Sequence, residues 1–373
     1  MSNAVSSLFK SRFGVRIAVP AVVAVGAVGT ALIYPQVVSA SSPSLASETT
    51  SQVIASAVSP TAKIYSGTVV ETSGLGLPSS FVNELSGSTS TSGLSGLMVQ
   101  ALTSGVTTNF WTNYASNLRI QVPSSTGEFD LYASSGSVWE WDSVTNTATS
   151  VTLPSGTQSQ TTSTTSTPPS PSTIADALLA NLPAGATVTF ASPQYVAGQA
   201  AYVLDLAPND PSSLIGSAQV AVDAATGNVL GVWITPTGGS TPAFSVYYST
   251  VSFTAPSASV YDFTVPTGAT VKSVTLGGGG STSTSTTSPS ITHKTIGSGF
   301  SAVEVVTGLP QSSSSTTSSL MSSLLASGTQ VTTGIGSGTI ITTSVATVFI
   351  GSNGTLAFGA VPQSVMLADL GQG

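Results

Sequence analysis

Two pairs of carboxylates stand at i, i+2 spacing in this chain, Glu128 with Asp130 and Glu140 with Asp142. That spacing puts both members of a pair on one face of a strand, a geometry that could serve a glycosidase or a calcium site. The residues between and beside them supply a plainer role. Phe129 and Leu131 fall opposite the first pair, and Trp139 and Trp141 fall opposite the second, so the acids read as the solvated faces of half-buried strands. A calcium site would add a third acidic or amide ligand in a turn, for which Asp142-Ser-Val-Thr-Asn146 offers only a weak candidate. Acid–base chemistry near neutral pH falls most often to histidine, and the single histidine, His293, follows a Ser/Thr linker beside Lys294, as an exposed connector residue would. No G-x-S-x-G elbow and no phosphate-binding loop occurs, and Gly334-Ile-Gly-Ser-Gly338 reads as a turn between strands. The absence of Cys removes thiol catalysis, disulfides and thiolate metal sites together. The expectation is a non-enzymatic protein with no catalytic residue, no cofactor and no metal.

The elements that carry these residues are strands. Between 200 and 271 four alternating runs follow one another, marked by Tyr202, Leu204 and Leu206; by Val220 and Val222; by Leu230, Val232 and Ile234; and by Phe244, Val246 and Tyr248. Period two with short turns means antiparallel neighbours, because parallel strands need long crossovers. Asp223-Ala-Ala-Thr-Gly227 reads as a hairpin loop in which Asp223 caps its own backbone. Upstream, a strand is expected over 64–72 and a meander over about 106–153. Helices are expected at 43–58, with Ser42 as N-cap, and at 173–182, with a Thr173/Asp176 capping box. Beyond 295, Ala302–Thr307, Thr339–Ile350 and Thr355–Ala360 read as strands, and Leu320–Leu325 and Ser364–Leu370 as helical. This tail is either a small second domain or an appendix packed on the first.

The chain has 373 residues, of which 6% are charged and 40% hydrophobic, with a formal charge of −7. Ser and Thr make its surface polar without making it ionic. Lys10, Arg12 and Arg16 precede an uncharged, mostly apolar run from Ile17 to Tyr34, and Val38-Ser-Ala40 has the small residues of a signal-peptidase site. Residues 1–40 are therefore expected to be a signal peptide or an uncleaved membrane anchor, with the folded part extracytoplasmic either way. Without them four basic residues face fourteen acidic ones, and the charge is −10, which repels nucleic acid. Low-complexity stretches fall at 86–96 and 155–172, and a Gly/Ser/Thr linker at 276–294.

The succession A-Y-x-L-x-L-x-P, strand, V-D-x-x-T-G, strand, P-A-F, strand, F-x-x-P-x-G-A-x-V in residues 200–271 resembles the outer-membrane lipoprotein carrier (LolA-like) superfamily, which also contains the MucB/RseB type of envelope-stress regulator. Ser66–Pro78 and Val138–Pro154 resemble its actinobacterial-type branch. The resemblance covers roughly 45–275, with 295–373 as a β-rich appendix. It implies a mainly β (α+β) fold, a strongly curved antiparallel half-open barrel whose helices cover the concave face, and hence a LolA-like domain over 41–275. It also implies an apolar cavity for a lipid or for lipoprotein acyl chains. The candidate lining is Phe110, Trp111, Trp139, Trp141, Tyr202, Leu204, Trp233, Phe244 and Tyr248, with Arg119 either meeting a head group at the mouth or forming a surface ion pair. Burying an acyl chain there would gain ~0.8 kcal/mol per methylene. The alternatives are a regulator that senses lipid or lipoprotein and contacts a membrane-bound anti-sigma factor, and a Ser/Thr-rich surface structural protein without a cavity.

Overall fold

A computed structural model of the chain describes residues 42–77, 82, 100–101, 105–114, 117–124, 126–134, 137–152, 170–180, 186–275, 291–308, 322 and 325–371. The expected leader at 1–40, the low-complexity insertions and most of the 276–294 linker and of Leu320–Leu325 lie outside those residues. Among the described residues no helix is long and apolar enough to cross a membrane.

The protein is mainly β. Twelve strands build one large open sheet: β1 (Ser66–Ser73), β2 (Thr107–Thr112), β3 (Leu118–Pro123), β4 (Glu128–Ser134), β5 (Ser137–Asp142), β6 (Thr147–Thr152), β7 (Thr187–Val196), β8 (Gln199–Ala207), β9 (Ile215–Asp223), β10 (Val229–Pro236), β11 (Phe244–Ser252) and β12 (Thr270–Thr275). Their order from edge to edge is β12-β6-β5-β4-β3-β2-β1-β11-β10-β9-β8-β7, so the sheet is not closed into a barrel. Neighbours are antiparallel except β12 on β6. The body (β1 and β7–β11) curls far enough that β7 returns close to β11; β2–β6 and β12 form an arm beyond it.

Alternation divides the sheet into two faces. Leu204, Leu206, Val220, Val222, Leu230, Val232, Phe244 and Val246 all lie on one, the core face, and are sealed from water. Helix α1 (Thr50–Val58) adds Val53 and Ala57 to this cluster, and α2 (Pro171–Ala180) adds Ile174 and Ala175. Both helices start at places other than expected. At α1 Thr49 and Gln52 cap each other, the Gln52 N–H donating to Thr49 Oγ1 at 3.3 Å and the Thr49 N–H to Gln52 Oε1 at 2.8 Å, so the helix begins after Thr49 rather than after Ser42. At α2 the Ser170 hydroxyl accepts the Thr173 N–H at 3.2 Å and Pro171 takes the first turn, where its missing donor costs nothing.

The tail forms a second, six-stranded sheet ordered β13-β14-β18-β17-β16-β15, from β13 (Thr292–Ile296), β14 (Val303–Thr307), β15 (Thr329–Thr333), β16 (Gly336–Thr342), β17 (Thr347–Gly351) and β18 (Leu356–Gly359). The single strand expected over 339–350 is two, turned at 343–346, where the Thr343 hydroxyl accepts the Ala346 N–H at 3.0 Å. One face of this sheet packs Val303, Val305, Ile340 and Phe349 on α3 (Gln363–Asp369). The other gives Val306, Ile341, Val348 and Phe358 to the main cluster. Backbone bonds from Leu214 to Ala360 at 2.7 Å and from Ser344 to Leu75 at 2.6 Å stitch the two sheets together. The tail is thus packed on the first sheet through a shared core.

Candidate functional site

In the arm, cross-strand register sets side chains into rows. On the core face Phe110, Ile120, Leu131, Glu140, Thr149 and Lys272 stand in sequence, each directly opposite the next on β2, β3, β4, β5, β6 and β12. A second row beside it runs Val122, Phe129, Asp142, Thr147 and Thr270. Both rows are apolar as far as β4 and polar from β5 onward. The apolar part is less well covered than the body: Ile120 and Val122 are buried with Val106, whereas Phe110, Leu118 and Leu131 are half-buried at the margins of the core clusters. The polar part borders a cavity of about 220 Å³ lined by Phe129, Glu140, Asp142, Thr145, Thr147, Thr149 and Lys272. Burial raises the Glu140 pKa above the ordinary carboxylate value. Asp142 Oδ1 accepts the backbone N–H groups of Val144 and Thr145 at 2.9 and 3.1 Å; this closes the turn, and no ligand set forms there. Among the described residues no three His, Asp or Glu side chains gather closely enough to hold a metal ion.

The opposite face of the arm has its own row: Trp111, Arg119, Tyr132 and Trp139, again each facing the next. The Arg119 guanidinium lies 5.0 Å from the centre of the Trp111 ring and 4.7 Å from that of Tyr132, and it pairs with Asp130 Oδ1 at 3.3 Å. Asp130 is 1% exposed. Burial pushes its pKa up to about 6, against the opposing pull of Arg119. Residues 253–269 must cross from β11 in the middle of the sheet to β12 at its edge, and they do so over this face. Phe263 of that strap sits 5.0 Å from the Tyr132 ring and 5.3 Å from the Trp139 ring; Tyr261 is buried beside it.

The candidate lining residues therefore divide between the two faces. Phe110, Tyr202, Leu204, Phe244 and Tyr248 lie on the core face. Trp111, Trp139, Trp141 and Trp233 lie on the other, where Trp139 and Trp141 pack on the strap and Trp233 stacks on Tyr247 at 5.9 Å. Leu204, Phe244 and Tyr248 are sealed into the body, and Tyr202 donates its hydroxyl to the Ala46 carbonyl at 2.9 Å. Phe110 is the one candidate on the half-covered strip. The expectation of solvated acids is corrected at Asp130, which the Arg119 guanidinium draws inward, and at Glu140, which lies half-buried on the core face opposite Leu131. Asp223 caps its loop as expected, accepting from Thr226 Oγ1.

Sequence reasoning passed over two polar groups at the junction of arm and body. Glu71 is 6% exposed and Thr108 4% exposed, and Glu71 Oε2 and Thr108 Oγ1 meet no hydrogen-bonding partner among the described residues. Burial pushes the Glu71 carboxyl up to about 7. The signal was present in Val69-Val-Glu71, where period two sends Glu71 to the same side as Val69.

No family model and no curated protein matches the chain. Among solved structures, MucB in the Pseudomonas aeruginosa MucA/MucB complex is 11% identical, with a TM-score of 0.39 over 86% of this chain and 95% of that one. A LolA superfamily protein from Nitrosomonas europaea is 11% identical, with a TM-score of 0.21 over 58% and 99%. An outer-membrane lipoprotein-sorting domain from Vibrio parahaemolyticus is 9% identical, with a TM-score of 0.18 over 53% and 88%. These are proteins of the kinds to which the sequence resemblance pointed. Every score lies below 0.5, so function has to be argued from the chain's own geometry.

Proposed function

We propose that the chain is an extracytoplasmic, non-enzymatic binding protein that carries or retains a lipid, or the acyl chains of a lipoprotein, on the core face of its arm. One observation supports this most. A single face of one continuous sheet passes from a sealed body at Phe244 and Val246 to a strip at Phe110, Leu118 and Leu131 that is apolar yet only half-covered. Half-buried apolar side chains that continue a core face gain from being covered by an apolar ligand. The test is organic extraction and mass spectrometry of the full chain purified after export. Co-purified lipid near one equivalent supports the reading, and a protein that stays empty after incubation with vesicles overturns it.

A second reading, a regulator of the MucB/RseB kind that contacts a membrane-bound anti-sigma factor, draws on β13. It is an edge strand in which Thr292, His293, Lys294 and Thr295 are all exposed, and such an edge can take up a partner's strand. Pull-down from solubilised membranes, lost on Thr295→Pro, would favour this reading over carriage.

A further inference from the structure

Resting on the lipid-binding reading, we propose that the cavity over β5, β6 and β12 is a headgroup site for an uncharged, hydroxyl-rich amphiphile, a glycolipid whose acyl chains lie along the adjoining apolar row. Continuity comes first. Leu131 and Glu140 are direct cross-strand partners, so the apolar row and the polar row form one line across the sheet, and a ligand lying on it changes character at one strand boundary. Adjacent strands lie ~4.8 Å apart, so the apolar row from Phe110 to Leu131 is ~10 Å long, half-buried at its two ends and sealed at Ile120 between them, and Glu140 to Lys272 adds a further ~10 Å of polar surface. The polar stretch matches a headgroup of one or two sugar rings.

The second argument is unused hydrogen-bonding capacity. Glu140, Thr149 and Lys272 form the polar half of the row, and none of them makes a side-chain hydrogen bond or ion pair with a described residue. They offer acceptors, a hydroxyl that both donates and accepts, and a donor, in that order. Vicinal hydroxyls, each donor and acceptor at once, satisfy such a sequence. Phe129, buried to 8% exposure at the cavity wall, adds an apolar surface for the carbon face of a sugar.

Charge decides against phosphate. Glu140 and Asp142 stand against Lys272 alone, leaving the cavity negative whenever both acids are ionised. Arg119, the side chain best suited to grip a phosphate in two-pronged fashion, is on the other face and committed to Asp130.

The test uses short-chain, monomeric lipids and calorimetric titration of the full chain. The probes are dihexanoylglycerol with a diglucosyl headgroup, dihexanoyl phosphatidic acid and methyl glucoside. The glycolipid is expected to bind at least about tenfold more tightly than phosphatidic acid, and Glu140→Ala to remove about tenfold of that affinity while leaving phosphatidic acid binding the same or tighter, since one repelling charge is gone. Lys272→Ala should act in the same direction, and Leu131→Ala should weaken both lipids alike. Equal or tighter binding of phosphatidic acid, or a preference untouched by Glu140→Ala, overturns the headgroup assignment while leaving lipid binding standing. Methyl glucoside binding as tightly as the glycolipid reassigns the cavity to free sugars and overturns the amphiphile. No binding of either lipid takes down the lipid-binding reading as well.

Discussion

Leu131 and Glu140 face each other across β4 and β5, and their row on the core face of the arm turns from apolar to polar between them, while the row from Leu118 through Ala133, Val138 and Val151 to Val274 stays apolar. Nothing in the ladder requires the change, since Leu131 is itself half-exposed beside an acid whose burial raises its pKa. A leucine at 140 would continue the apolar row and remove a charge held away from water. Glu140→Leu is therefore expected to raise the urea midpoint at pH 8, where the acid is ionised, more than at pH 4, where it is protonated. An equal change at both values would mean that the charge carries no penalty.

Glu71 imposes a pH dependence of unusual sign. Its folded pKa of about 7 lies above the ordinary value of 4.5, so the folded state holds the proton more tightly than the unfolded chain. Below pH 4.5 both states are protonated and there is no penalty. Between 4.5 and about 7 the unfolded chain ionises first, and stability falls as pH rises, by about 3 kcal/mol in all. Asp130, also raised, acts in the same direction over a lower window. Glu71→Gln should flatten the profile of urea midpoint against pH from 4 to 8. A wild-type profile that rises with pH would refute the account.

Strand positions, alternation and the antiparallel pairing of consecutive strands were legible because alternation is strong where a strand has one sealed side, as in Tyr202-Val-Leu-Asp-Leu206 and in Phe129 to Asp142. The division of the aromatic set was not legible. Alternation states that Trp139 and Trp141 share a face, but not which face of the sheet that is, and this depends on where residues 253–269 cross. That path follows from the long-range pairing of β12 with β6, over 120 residues apart, and no local pattern announces it. Asp130 was misjudged for a related reason. Its partner Arg119 lies on the preceding strand, two residues from Gln121, which directly opposes Asp130, and composition alone could not place the guanidinium between two rings.

That guanidinium is expected to hold Asp130 in place. Arg119→Met keeps much of the stem's packing but leaves the buried carboxylate uncompensated, at a cost of about 3 kcal/mol at pH 8. At pH 4.5, below the Asp130 value of about 6, the acid is neutral and the loss should shrink. Denaturant titrations at the two pH values measure the difference; an equal loss at both would assign the Arg119 effect to packing on Trp111 and Tyr132 alone.

The strap contact separates folding from binding. Trp139 and Phe263 lie 5.3 Å apart on the face opposite the half-covered strip. Trp139→Ala and Phe263→Ala should each lower stability by about 3 kcal/mol. The double variant should lose less than their sum by about 1 kcal/mol, the coupling of a direct ring contact. Lipid binding on the core face should survive both changes at saturating protein stability. Selective loss of binding in Trp139→Ala would return this residue to a ligand cavity.

The two sheets are expected to unfold together, and the tryptophans make this testable. All four, Trp111, Trp139, Trp141 and Trp233, belong to the large sheet, so their fluorescence reports that sheet alone. Phe358, 1% exposed, belongs to the small sheet yet sits in the main cluster with Phe244 and Leu230. Truncating it leaves a cavity in the shared core and should cost about 3–5 kcal/mol. If the sheets form one cooperative unit, Phe358→Ala lowers the fluorescence-detected midpoint and the circular-dichroism midpoint by the same amount. If the tail is an independent domain, the tryptophan transition stays where it was and a second, earlier transition appears by circular dichroism only.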